Sequence, residues 1–351
     1  MKKISVLVLT AVLLCLSCTT SRSGYVTITG YAQGGTYAVK INMEGVDQSP
    51  EQIRDSVDAI LRQIDFSLSG YNKSSILSRF NAGETVIPDS LFTDIYSHAC
   101  NIYERTDGLV DVAAGPLFDI WGFGFKSGEM PSDELVAETV ASCGMKQLKK
   151  DMLQAVSADG TMNSTGLLAD PASGQNPKLN YNAIAQGYSC DVVARYLYSI
   201  GVRDMMVDIG EIFCDGVNPS GKPWTLGIDR PVDGNNELGA DIQGIFRAPE
   251  GPHGIVTSGN YRKFYIKDGR KYAHTINPKT GYPVEHGLLS ATVVAPDAMT
   301  ADAYATYCMV IGLEASISFI ESHPELEACL IYDEEGVFRT WCSSGFVLEP
   351  V

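Results

Sequence analysis

Positive charge is what this 351-residue sequence has least of. Its 26 lysines and arginines stand against 42 aspartates and glutamates, for a net charge of −16. Nucleic acid as a partner would need a basic face, and electrostatic docking on anionic lipid a basic patch; the balance argues against both. Beyond Leu16 no apolar run is long enough to cross a bilayer, and no internal repeat is visible. There is no P-loop and no G-x-G-x-x-G fingerprint after a strand. Metal-ligand cysteine spacing is missing too. Downstream of Cys18 stand Cys100, Cys143, Cys190, Cys214, Cys308, Cys329 and Cys342, scattered and odd in number. Several lie in apolar runs, where cysteine behaves as a small buried hydrophobe; one disulfide could form, but no framework can be read. A negatively charged ligand must therefore be met locally, by a metal ion or by backbone N–H groups.

What is present begins with an address. Lys2 and Lys3 precede an apolar stretch, Ile4–Leu16, of a length normal for a secretory leader and too short to span a membrane. Cys18, set among Ser17, Thr19 and Thr20, resembles a bacterial lipobox, although Cys15 stands where leucine is usual. The expectation is a signal peptide over 1–17, a lipidated tether over 18–24 held by Cys18, and a folded unit over 25–351. That unit could divide into two interleaved subdomains. The mature chain would be anchored to a bacterial membrane, facing the periplasm or the exterior. Loss of Lys2 and Lys3 would take the net charge from −16 to −18.

The remaining residues are 45% hydrophobic in a chain ample for a large core. Strands are expected at 25–29 and 36–43, around Gln33-Gly34-Gly35. Ser49-Pro50-Glu51-Gln52 has the form of a capping box opening a helix to about Asp65, with a stripe at Ile53, Val57, Ile60 and Ile64. Further helices are expected near 89–106, 184–200, 297–311 and 314–322. Strand-like segments fall at 205–209, 224–228, 254–257, 263–267, 290–295, 328–332 and 337–342, with hairpins at 263–273 and 331–340. This irregular alternation predicts an α+β fold with mainly antiparallel sheets. Residues 157–178, rich in Gly, Ser, Asn and Pro, read as an exposed loop.

Chemistry concentrates after residue 257. Asp302 and Thr306 are four apart on a helix and share a face, which suits a hard cation such as Mg²⁺ with waters or phosphates completing its shell. By spacing alone they equally describe a helix-surface acid and a small packing residue. His274 ends a strand just before Asn277-Pro278-Lys279-Thr280-Gly281, a turn that would hold its imidazole at a sheet edge for proton transfer. His98, His253, His286 and His323 have no comparable setting. The glycine-bearing loops Gly34-Gly35-Thr36, Gly108–Gly115, Gly122-Phe123-Gly124 and Thr257-Ser258-Gly259 could approach phosphates closely, but none is specific.

These segments, in order over roughly Gly30 to Trp341, resemble the ApbE family of FAD:protein FMN transferases. The similarity runs through Gly34-Gly35-Thr36-Tyr37, Asp65–Tyr71, Ser74-Ser75, Arg79-Phe80-Asn81, Thr106–Pro116, Trp121–Gly124, Ala183–Tyr188, Val207–Ile212, Thr257–Tyr261, His274–Gly281 and Ala301–Thr306. The resemblance implies a T-fold-like architecture and Mg²⁺-dependent transfer of FMN from FAD to a Ser or Thr hydroxyl of a target protein, releasing AMP. It implies Asp302, Thr306 and the carbonyl of Ala185 as metal ligands and His274 as the base. Tyr71, the Gly108, Leu109, Val110 and Asp111 backbone, Asn180, Gln186, Thr257, Ser258 and Gly259 would line the FAD site. The implied partners are FMN-accepting domains of exported or membrane redox proteins.

Three departures bear on FAD affinity. Asn180 stands where members commonly carry Asp, Gln186 where Lys is common, and Asp208-Ile-Gly-Glu211 is one glycine short. The same site would also serve an FAD pyrophosphatase giving FMN and AMP. A flavin-binding lipoprotein without turnover is the alternative outside enzymes.

Overall fold

The box at Ser49 forms as its residue types predict. Ser49 Oγ accepts from the Gln52 N–H at 3.3 Å, and Gln52 Oε1 accepts from the Ser49 N–H at 2.8 Å. Pro50 then opens helix α1 (Pro50–Leu68), in a computed structural model that describes residues 24–84, 86–124, 130–148, 178–232, 235, 239–261, 264–267 and 269–351. The leader, Cys18 and all but the last residue of the 157–178 loop lie outside the described residues. The helix runs three residues past the expected stop, and its buried stripe is Ile53, Val57, Leu61, Ile64 and Leu68. Leu61, rather than Ile60, faces the core.

Helices α2 (Ile76–Asn81), α3 (Ser90–Arg105), α4 (Gly115–Ile120) and α5 (Asp133–Ser142) follow. Then come α6 (Ala185–Ser199), α7 (Ala298–Ile311) and α8 (Leu313–Glu321). Asp89 caps α3 through Oδ1, which accepts from the Phe92 N–H at 2.8 Å. Six-residue α2 and α4 are under two turns long, too short for a hydrophobic period to show, and the sequence pattern did not announce them.

The strands are β1 (Tyr25–Ala32), β2 (Gly35–Asn42), β3 (Met205–Asp208), β4 (Ile212–Asp215), β5 (Thr225–Asp229), β6 (Ile242–Arg247) and β7 (His253–Gly259). They continue as β8 (Phe264–Lys267), β9 (Arg270–Ala273), β10 (Leu288–Ala295), β11 (Glu327–Glu334), β12 (Val337–Cys342) and β13 (Leu348–Glu349). Eight form one sheet in the order β1-β2-β3-β4-β7-β10-β11-β12, three a small sheet β13-β6-β5, and β8-β9 a hairpin. Every pairing between these strands is antiparallel, so the fold is α+β as expected.

The packing of α7 places the site. Almost every side of it is buried, through Ala298, Met299, Ala301, Ala303, Tyr304, Ala305, Cys308, Met309 and Val310. Two glycines let neighbours reach its first turn. A Cβ on Gly254 of β7 would lie 2.2 Å from Ala298 Cα, and one on Gly187 of α6 would lie 2.3 Å from Ala298 O. Backbone fills both positions, so neither contact can yield by a side-chain rotation.

Candidate active site

Asp302 projects from α7 into this crowded layer and is 5% exposed, which removes the helix-surface description that spacing alone allowed. Its Oδ2 accepts one hydrogen bond, 3.2 Å from the Gly187 N–H. Burial lifts its carboxyl well above the usual carboxylate range, and the neighbouring charge of Asp191 pushes the same way. Asp191, on α6, was not picked out by the sequence pattern. Its two oxygens accept from the Ala298 and Met299 N–H groups at 2.8 and 2.9 Å, capping α7. Burial pushes its pKa up to about 7, and Asp297 adds to the rise. An ionised carboxylate held away from water costs several kcal/mol unless a positive partner offsets it.

Oxygen atoms of the kind a hard cation takes are close by in the fold. Ala185 opens α6 two residues before Gly187; its carbonyl accepts from Ser189 Oγ at 2.7 Å and keeps a second lone pair. Gln33, in the β1–β2 turn, donates in turn to Ser189 Oγ. Thr306, half-buried, stands one turn along α7 from Asp302. Among the described residues no three His, Cys, Asp or Glu side chains gather at one place. A carboxylate, a hydroxyl and a carbonyl fit Mg²⁺, which retains water and phosphate ligands, better than they fit Zn²⁺.

Gln186 points its Nε2 at the Ile209 carbonyl, 3.2 Å away, in the space that Gly210 leaves beside it. Asn180 forms a local turn, Oδ1 accepting from the Asn182 N–H at 2.9 Å, while its own N–H donates to Val112 O at 2.6 Å. That bond ties the entry to α6 to the 106–112 loop. Within this loop the N–H groups of Gly108, Leu109 and Val110 go to Tyr103 O, Thr106 O and Thr106 Oγ1. The Asp111 carboxylate accepts from the Ala113 and Met145 N–H groups, at 2.8 and 3.0 Å. The loop therefore offers a ligand carbonyls and surface rather than backbone donors at 108–110.

His274 follows β9 at half-burial, with the Phe123 ring edge-on at 6.4 Å between centroids. Phe123 stacks on Tyr265, Tyr265 on Tyr272, and Tyr272 on Trp121. Trp121 Nε1 donates to Gly281 O at 2.7 Å, fixing the far end of the turn. Inside the turn Asn277 Oδ1 accepts from the Lys279 N–H at 2.9 Å, and Gly281 takes the left-handed φ of +80°. Thr275 Oγ1 donates to Asn260 Oδ1 at 2.6 Å, which seats His274 beside the end of β7. There Thr257 is exposed and shares a 2.8 Å hydrogen bond with Thr292, while Ser258 and Gly259 are half-buried.

Cross-links join these pieces. Lys279 forms an ion pair with Asp107 at the mouth of the 106–111 loop, and Tyr307 on α7 lies close enough to feel both charges. Arg105, ending α3, hydrogen-bonds Tyr304 of α7. The structure thus brings Ala185, Gln186, Asn180, the 108–111 loop, the 274–281 turn and α7 into one neighbourhood. Tyr71 stands in the α1–α2 loop with 68% of its surface exposed.

The model of the ApbE family matches residues 33–330. An FAD:protein FMN transferase of Haemophilus influenzae is 32% identical, covering 98% of this chain and 97% of the relative. One of Vibrio cholerae is 33% identical, with 91% of each chain covered. Among solved structures, the flavin transferase ApbE of Vibrio cholerae superposes with a TM-score of 0.74 at 30% identity, covering 91% of this chain and 97% of that one. The apo form of the Pseudomonas stutzeri flavinyl transferase ApbE gives a TM-score of 0.76, also at 30% identity, over 91% and 95%. On sequence and fold together, this chain belongs to the ApbE family.

Proposed function

We propose that this protein transfers FMN from FAD to a Ser or Thr hydroxyl of a target protein and releases AMP. The observation that carries the reading is Asp302, a carboxylate buried on α7 beside Thr306 and the first turn of α6, in a chain whose relatives bear that activity's name. The acceptor hydroxyl attacks the phosphorus on the FMN side of the pyrophosphate, the P–O bond to the AMP half breaks, and AMP departs. His274 takes the proton of the attacking hydroxyl. Asp302, Thr306 and the Ala185 carbonyl would hold Mg²⁺, which supplies charge neutralisation to the pyrophosphate and the leaving group. Asp191 keeps the first turn of α7 fixed against α6 and so holds Asp302 in place.

Gln186, Asn180, the 108–111 loop, Thr257–Gly259 and Tyr71 are the surfaces assigned to FAD. The acceptors are FMN-carrying domains of exported or membrane redox proteins, reached from a membrane to which Cys18 anchors the chain. No helix among the described residues is long and apolar enough to cross a membrane, which leaves the anchor to the leader and its cysteine.

The test uses the chain without its leader, mixed with FAD, Mg²⁺ and an acceptor domain. AMP together with an FMN-sized mass gain on the acceptor is the expected result. AMP with free FMN and no labelled acceptor would replace transfer by pyrophosphate hydrolysis. Bound FAD with no AMP would leave a flavin carrier.

A further inference from the structure

Cys329 and Cys342 face one another across the last pair of strands in the large sheet. They are register partners in the antiparallel β11–β12 ladder. The Ser343 N–H donates to Ala328 O at 2.9 Å, so residues 328 and 343 form a hydrogen-bonded pair and 329 and 342 the adjacent non-hydrogen-bonded pair. Such a pair has the closer Cα spacing, about 4.5 Å, and side chains on one face, within the range that a disulfide spans without backbone movement. Both sulfurs lie against the cluster of Trp224, Leu226, Phe246 and Phe346 beneath the small sheet. The two thiols are hydrogen-bonded to each other and both are reduced.

We infer that Cys329 and Cys342 are a built-in dithiol that closes to a cross-strand disulfide in an oxidising compartment. Cys329 is fully buried and Cys342 half-buried, so the order of events follows from access. Cys342 attacks the disulfide of an oxidant, either a Cys-x-x-Cys oxidoreductase or oxidised glutathione, and one oxidant thiol leaves. Cys329 then attacks Cys342 Sγ, the second oxidant thiol leaves, and two electrons and two protons have passed to the oxidant. The bond would fasten the edge strand just before the chain crosses to the small sheet, where β13 pairs with β6 and Phe346 stacks on Phe246 at 3.9 Å. The other described cysteines have no cysteine opposite them in any strand pairing, and Cys190, Cys214 and Cys308 are fully buried.

The experiment exposes the reduced chain, lacking its leader, to oxidised glutathione, followed by intact-mass and peptide mapping. The expected result is a loss of two mass units, with the peptides carrying Cys329 and Cys342 cross-linked, and a rise of a few degrees in Tm reversed by dithiothreitol. In Cys342→Ser the mass loss and the rise in Tm should both vanish. Full alkylation of Cys329 and Cys342 after treatment, or a bond using a different pair, would overturn the inference. Neither readout depends on flavin transfer, so the result stands apart from the proposed activity.

Discussion

The α6–α7 layer and the 274–281 turn handle polar groups in opposite ways. In the first, two carboxylates are sealed in a packed interior and satisfied by backbone N–H groups at a helix start and a helix crossing. In the second, a histidine stands near the surface, held by an Asn-Pro turn, an aromatic stack and exposed side chains. The first arrangement is expensive without a cation and rigid. The second leaves the imidazole within reach of a group arriving from solvent. A site that takes one substrate into a cleft and another from a protein surface needs both.

Asp302→Ala should break the buried side most severely. Turnover should fall by orders of magnitude, since metal neutralisation of phosphate charge supplies several kcal/mol in such reactions. Stabilisation by added Mg²⁺, followed as a Tm shift, should disappear with it. An unchanged Mg²⁺ titration would place the cation elsewhere.

Next in size is Gly187→Ala, whose Cβ would meet Ala298 O at 2.3 Å. Overpacking of this kind costs about 1–3 kcal/mol, measurable by urea unfolding. A neutral outcome would mean that α6 and α7 can slide apart without penalty, against the rigidity assigned to them.

A pH series sharpens the contrast further. Asp191 titrates at about 7 in the folded chain against an ordinary value of 3.8. The folded state therefore holds this proton more tightly, so the group carries no penalty below about pH 4 and a growing one up to about pH 7. The Tm of Asp191→Asn relative to that of the unaltered chain should rise across that window in metal-free buffer. A flat difference would mean that Asp191 titrates normally.

The smallest effect belongs to the exposed side. Lys279→Met removes a surface ion pair with Asp107 and should cost no more than about 1 kcal/mol in urea unfolding. A larger loss would show that the pair, rather than Asn277 and Trp121, sets the turn.

Much of this was legible from residue types. The capping box, the antiparallel hairpins and the placement of His274 before a turn all followed from local chemistry. The depth of Asp302 did not. A helix buried on nearly every side shows no stripe, so its pattern cannot say which positions are core. Asp191 was missed for a related reason. The predicted face of its helix was Ile184, Tyr188, Val192 and Tyr196, whereas the buried set includes Gly187, Cys190, Asp191 and Val193 because α7 presses on a second side. Strand β4 has only four residues, too few to alternate visibly. The Cys329–Cys342 pairing was within reach: the expected 331–340 hairpin, extended by two residues at each end, sets those cysteines opposite one another.

The most direct measurement compares His274→Ala with the unaltered chain in labelling an acceptor domain, with FAD and Mg²⁺ saturating. FAD binding should be retained while the rate of FMN mass gain falls about 10²–10⁴-fold, the contribution of a positioned base. Labelling at the unaltered rate would take proton transfer away from His274 and separate the turn from the chemistry.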